Sequence, residues 1–274
     1  MQELNVGFIQ FNPLFGKKEE NLERIAHFID SKPNADLLVL PELPITGYLF
    51  LNSKEVNELA EPIPGKIFLQ LLEISKQNDT YLISGFCEKK GDHYFNSAVV
   101  IGPEEGLLGI YRKIHLFFEE KHFFEPGNKL PDSYEIRGAQ VATIICFDWI
   151  FPEITRILAL KGIDILCHPS NLVLSFAQTV MRARAIENRI FTITANRVGC
   201  EKRNDTKLAF TGQSQIIKPN MEILAKANET EEIITVCEIN PVEARNKNVT
   251  DLNHIFKNRR EDLYSLLEKN STNK

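Results

Sequence analysis

The sequence has little of what marks a specialised chain. Five cysteines are scattered over 274 residues, an odd number with no two at a CxxC spacing. That argues against a disulfide framework or a cysteine-rich zinc site and suits a reducing compartment. No basic excess is present: 32 Lys and Arg against 37 Asp and Glu leave a formal charge of −5. A chain built to grip nucleic acid needs a basic face instead. Apolar runs such as Leu37-Leu38-Val39-Leu40 fall far short of the roughly 20 residues of a membrane-spanning helix. The first residues, MQELNVGFIQF, show no basic segment leading into an apolar stretch and a small-residue cleavage site. Fourteen Gly and thirteen Pro are too few for a collagen-like or low-complexity protein. The expectation is a soluble, cytoplasmic protein with no nucleic-acid or membrane partner.

What is there is alternation. Leu4 to Phe11 reads as a strand. Leu22, Ile25, Ala26 and Ile29 then repeat at the spacing of one buried helix face within residues 17–31. Ala35 to Leu40 reads as a buried strand, and Pro64-Gly65 opens a helical stretch through Lys76. Tyr81 to Phe86 and Ser97 to Ile101 read as strands, with a turn at Gly91-Asp92. Val141 to Cys146 is a β-branched apolar run that predicts another strand. Pro152-Glu153 opens a helix that Gly162 stops. Ile163 to Cys167, a helix over about residues 177–189, Ile190 to Ala195, Gln213 to Ile217, Glu222 to Ala225 and Ile233 to Ile239 complete the pattern. Such alternation implies an α/β protein whose sheets are covered by helices.

In such folds functional groups collect at the carboxyl ends of strands. Glu42 follows LLVL, Cys146 follows VATII, and Cys167-His168 follows IDIL. Neighbours in a strand point to opposite faces, so Cys167 and His168 make a weak nucleophile–base pair. Cys87 and Cys237 read as strand residues and Cys200 as a loop residue. Cys146 differs: it precedes a tight link, FDWIF, into the helix at Pro152, whose backbone N–H groups would face a developing oxyanion. His168 and His115 read as hydrogen-bonded structural histidines, since no further ligand sits at a metal-binding spacing. Glu153 suits a helix's first turn, and Arg182 and Arg184 are spaced to pair with Glu187.

Five blocks carry a resemblance. Pro41-Glu42-Leu43 with Thr46-Gly47-Tyr48, then Tyr111-Arg112-Lys113-Ile114-His115-Leu116, then Ile145-Cys146-Phe147-Asp148 with Phe151-Pro152-Glu153 resemble the signature blocks of the nitrilase superfamily of carbon–nitrogen hydrolases. His168-Pro169-Ser170-Asn171 and the pair Arg182–Asn188 with Ala195–Gly199 are similar to two later blocks. They occur in family order and cover most of residues 4–240. The resemblance implies a four-layer α-β-β-α sandwich and a catalytic set of Glu42, Lys113 and Cys146. A second family glutamate falls on Glu120, although the residues alone leave Glu119 and Glu125 open as alternatives.

The set makes chemical sense. Moving a proton from a free cysteine to a free glutamate is uphill by about 4 pKa units, or roughly 6 kcal/mol. A buried Glu42, raised further by a nearby Glu120, and Lys113 beside the Cys146 thiol would together close most of that gap, whereas two of the four residues alone would not. The resemblance therefore implies hydrolysis of a small linear amide or N-carbamoyl compound through a thioester on Cys146, with ammonia released. The backbone N–H of Phe147 would help to hold the oxyanion, and neither cofactor nor metal is required. Dedicated nitrilases often carry Trp-Glu where Phe147-Asp148 stands, which makes nitrile hydrolysis the second reading. A catalytically silent or redox-responsive protein on the same fold is the third. Tyr48, Trp149 and Asn171 are candidate pocket residues, with Phe123 and Phe176 as further aromatic walls; the loops at 43–52, 118–130, 147–150 and 171–176 shape that pocket. The resemblance also implies a homodimer or higher homo-oligomer. Residues 1–240 would form the hydrolase domain and 241–274 a tail at the dimer interface, with Ile255, Phe256, Leu263, Tyr264, Leu266 and Leu267 as apolar anchors.

Overall fold

The computed structural model describes residues 3–264 apart from residue 33. Its first half runs β1 (Leu4–Gln10), α1 (Lys18–Asp30), β2 (Leu37–Val39), α2 (Ser53–Leu59), α3 (Lys66–Asn78), β3 (Tyr81–Lys90), β4 (His93–Gly102) and β5 (Gly106–Arg112). The second half runs β6 (Ser133–Ile136), β7 (Ala139–Thr143), α4 (Pro152–Leu160), β8 (Ile165–Pro169), α5 (Ala177–Asn188), β9 (Phe191–Ala195), β10 (Cys200–Arg203), β11 (Thr206–Ala209), β12 (Gln215–Ile217), β13 (Ile223–Lys226) and β14 (Ile233–Ile239).

Two six-stranded sheets result, ordered β14-β1-β2-β3-β4-β5 and β13-β12-β9-β8-β7-β6. Each has three parallel strands at its centre, β1-β2-β3 and β7-β8-β9, flanked by antiparallel neighbours. The period-2 alternation of strand side chains then sorts the sequence into layers. Leu4, Val6 and Phe8 of β1 face Val141, Ile165, Cys167 and Ile193 of the other sheet in one core. Ile9, Leu38 and Leu82 point the other way, onto Leu22, Ile25 and Ile29 of α1 and Leu71 of α3. Ala142 and Leu166 point outward from the second sheet onto Ile154 and Leu158 of α4 and Met181 of α5. The result is the expected four-layer α-β-β-α sandwich. Each fully buried Leu, Ile or Phe contributes about 1.5–3 kcal/mol.

Local signals set several element ends. Glu19 and Glu20 sit in the first turn of α1, where acids complement the helix dipole. Pro152 opens α4 with Glu153 beside it, and Asn52 caps α2 by accepting the N–H of Glu55. One expectation needs correcting: the strand expected over 141–146 stops at Thr143. Ile144 and Ile145 continue past the ladder, and Cys146 opens a 3-10 turn, Cys146–Ile150. The turn closes because Asp148 folds back to accept the N–H of Ile145 at 2.9 Å. Cys200 is exposed, but it lies in the short hairpin β10-β11 rather than in a loop. Beyond β14 the tail forms a short helix, Val242–Arg245, and a small hairpin, Asn248–Thr250 with Asn253–His254. Leu266 and Leu267 lie outside the described residues.

Candidate active site

The ends of β2, β5, β7 and β8 bring the chemistry together. Glu42 follows β2, and its loop lies directly on β3, where the Gly85 N–H donates to Pro41 O. That approach requires glycine at 85: a Cβ there would stand 2.4 Å from Leu43 N and 2.6 Å from Glu42 Cα. Lys113 follows β5, held by its N–H to Asn96 O at 2.8 Å. Glu120 lies on a 3-10 turn, Phe118–His122. Glu119 and Glu125 are exposed, and Glu125 pairs with His93 at 2.5 Å, so burial separates Glu120 from the other two acids.

Lys113 Nζ donates to Glu42 Oε1 at 2.7 Å and to Glu120 Oε1 at 2.8 Å. Lys113 and Glu42 are fully buried, and Glu120 nearly so. Asn96 Nδ2 donates to Glu42 Oε1 at 2.7 Å. Tyr48 OH donates to Glu120 Oε1 at 2.6 Å, and the Phe117 N–H to its Oε2 at 3.1 Å. Glu42 Oε1 is thus saturated, while its Oε2 is buried with no hydrogen-bond partner among the described residues. A bare carboxylate oxygen in a buried site is costly unless something is to occupy it.

Burial works against charge on Lys113, but Glu120 and Glu42 outweigh it and hold the ammonium well above the ordinary lysine range. Burial raises Glu120, Lys113 pulls it back down, and Glu42 adds to the rise. Burial, followed by Glu42, pushes the Cys146 thiol well up, and Lys113 lowers it too little to compensate. Lys113 thus acts on the thiol in the expected direction, while burial and the two carboxylates act against it.

Cys146 has φ +39°, a left-handed backbone that costs a non-glycine residue about 1–2 kcal/mol. Surrounding hydrogen bonds impose it. Asp148 is fully buried and accepts from Tyr111 OH at 2.7 Å and from His115 Nδ1 at 2.7 Å. His168, on the opposite face of β8 from Cys167, donates its Nε2–H to Cys146 O at 2.9 Å. Cys167 itself is buried between the sheets, where burial raises its thiol, so the adjacent Cys–His pair is not a dyad. Asn171, after β8, donates Nδ2 to Glu42 O at 2.9 Å. Its Oδ1 is buried without a partner among the described residues.

Cys146, Phe147, Trp149 and Asn171 share one small cavity of about 10 Å3. Tyr48 and Phe123 line a different opening, beside Glu120. Phe176 packs edge-on against Trp149, with ring centroids 5.7 Å apart. Arg184, rather than Arg182, takes the ion pair with Glu187 at 3.1 Å. Among the described residues no group of three or more His, Cys, Asp or Glu is placed to hold a metal ion.

Several supporting residues escaped the sequence reading. Asn96 and Asp148 are polar residues set in apolar segments, and that contrast was the available signal. Arg197 is fully buried against Glu201, with its guanidinium 4.0 Å above the Phe210 ring. Glu201 in turn accepts the N–H groups of Tyr48 at 3.1 Å and Leu49 at 2.6 Å. This pair anchors the loop that carries Tyr48 to the far side of the site.

The family model for carbon–nitrogen hydrolases matches residues 5–247. The chain belongs to the carbon–nitrogen hydrolase family. A nitrilase from Pyrococcus abyssi is 45% identical over 95% of this chain and 99% of its own length. The human omega-amidase is 31% identical over 91% of this chain and 92% of its own. A carbon–nitrogen hydrolase structure from Helicobacter pylori superposes with TM-score 0.89 at 27% identity, covering 98% of this chain and 99% of that one. A mutant amidase from Nesterenkonia sp. shares the fold at TM-score 0.79 and 21% identity over 96% of each chain; that structure shows covalent addition of the acetamide moiety of fluoroacetamide at its active site cysteine. No helix among the described residues is long and apolar enough to cross a membrane.

Proposed function

We propose that this family member hydrolyses a small linear amide or N-carbamoyl compound through a thioester on Cys146, releasing ammonia. The observation that carries the reading is the bare, buried Oε2 of Glu42, whose other oxygen Lys113 and Asn96 fix. A base atom left open by an otherwise complete hydrogen-bond set is what proton transfer from sulfur requires.

The steps follow from that geometry. Glu42 takes the Cys146 proton as the sulfur attacks the carbonyl carbon. The resulting oxyanion is held by the Lys113 ammonium and the Phe147 N–H. Glu42 returns its proton to the nitrogen, the C–N bond breaks, and ammonia leaves. Water then attacks the thioester, gives a proton to Glu42, and the sulfur recovers that proton as the acid departs. Glu120, fixed by Tyr48 and the Phe117 N–H, holds Lys113 in register. Asn171 and Trp149 shape the space next to the sulfur.

Nitrile hydrolysis is the second reading, favoured by the Pyrococcus relative's designation as a nitrilase. Ammonia release from paired amide and nitrile panels separates the two. Cys146→Ala abolishes release from either panel with the fold intact; retained activity would falsify the assignment. Self-association belongs to the same reading: Val249, Leu252 and Leu263 of the tail are exposed apolar residues. Light scattering of the intact and the tail-deleted chain tests it.

A further inference from the structure

The space beside the sulfur has a chemical character that narrows the substrate. Its walls are Phe117, Phe147, Trp149, Leu172, Val173 and Leu174. Besides Cys146, two side chains there carry hydrogen-bonding atoms: Trp149, with its indole N–H donor, and Asn171, whose Oδ1 is buried and unpartnered among the described residues. No acidic or basic side chain lines this cavity among the described residues. The opening that includes His115 and Lys121 shares only Phe147 with it, and the one that includes Glu119 and Glu120 shares only Phe117.

The charges that do surround the sulfur are committed to one another. Both oxygens of Glu120 accept hydrogen bonds, from Lys113 and Tyr48 on one and from Phe117 on the other. Glu42 Oε1 accepts from Lys113 and Asn96. A substrate carboxylate placed among the aromatic and aliphatic walls would find no cation there to pair with. A substrate ammonium would be desolvated with no acid in the walls to receive it. Burying an ion unpaired is far more costly than burying a methyl group of the same size.

We infer that the acyl group of the substrate is small, uncharged and apolar, with Asn171 Oδ1 accepting from the substrate's amide nitrogen. This inference rests on the amide-hydrolase reading above. It sets the chain apart from enzymes whose amides end in a second carboxylate or an amine, because those need a counter-charge that these walls lack.

The test is kcat/KM for three amides of nearly equal length: butyramide, succinamate and 4-aminobutyramide. Butyramide exceeds each charged analogue by at least about a hundredfold. Equal or better turnover of either charged analogue overturns the inference and leaves the hydrolase reading standing. If none of the three is turned over and no acyl mass appears on Cys146, while an N-carbamoyl panel releases ammonia, the inference fails and the hydrolase reading stands; no ammonia from either panel sinks both. A second arm places a cation in the wall. Val173→Arg raises the succinamate-to-butyramide ratio at least about tenfold; an unchanged ratio means that this wall does not face the acyl group, which also overturns the inference.

Discussion

His168 makes the fold acid-sensitive in a way that can be worked out in advance. The ring is fully buried, and burial drives its pKa from 6.5 down to about 4, with the Cys146 carbonyl pulling back less than burial pushes. In the unfolded chain the same histidine titrates near 6.5. The unfolded state therefore binds the proton more tightly than the native state. The associated stability is fully present above pH 6.5 and is lost as pH falls toward 4. A depression of about 2.5 pKa units corresponds to roughly 2 kcal/mol lost by pH 5 and about 3 kcal/mol by pH 4. The perturbation is His168→Gln, whose amide still donates to Cys146 O but cannot titrate. Urea midpoints measured from pH 7.5 to pH 4.5 on both proteins isolate the effect, because the carboxylates are common to both and cancel. The wild type loses about 2 kcal/mol more than the variant between pH 7.5 and pH 5. Parallel pH profiles would refute the reasoning.

Three further outcomes follow from the same structure. Glu42→Gln removes the open base oxygen while keeping an acceptor for Lys113, so kcat/KM for an accepted amide falls by about 10²–10⁴ with little change in urea midpoint. Arg197→Met strips the partner from buried Glu201 and costs about 3–5 kcal/mol in urea unfolding; a loss under 1 kcal/mol, by the same principle, contradicts the role given to this pair. Gly85→Ala drives a methyl group against the Glu42 backbone, and a displacement of that kind costs about a hundredfold in kcat/KM, whereas Gly91→Ala, at a turn with open space around it, leaves turnover unchanged.

The layers of this fold were legible because the alternation of strands and helices is written in hydrophobic period. Leu4, Val6 and Phe8 against Ile9, and Leu22, Ile25 and Ile29 along α1, sort themselves by spacing alone. The element α2 was missed because its seven residues bury a single side chain, Val56. The strand β5 was missed because Gly106 and Gly109 weaken its strand signal. The 3-10 turn at Cys146 was illegible for a different reason. Ile144 and Ile145 extend the apolar run, while the turn depends on Asp148 reaching back and on Tyr111 and His115 arriving from another part of the chain. The resemblance named Glu42, Lys113, Cys146 and Glu120; all four are buried, and Lys113 hydrogen-bonds both glutamates. It did not reveal that burial and Glu42 push the Cys146 thiol up, nor that Arg197 and Glu201 hold the Tyr48 loop. Both depend on contacts between residues far apart in the chain, which no local pattern encodes.

The most direct measurement is the covalent state of Cys146 during turnover. Rapid acid quenching of the enzyme with butyramide, followed by peptide mass mapping, places a butyryl group on the peptide that holds Cys146, and the adduct is absent from Cys146→Ala. Steady ammonia release with no adduct there, or an adduct on Cys167 instead, contradicts the account.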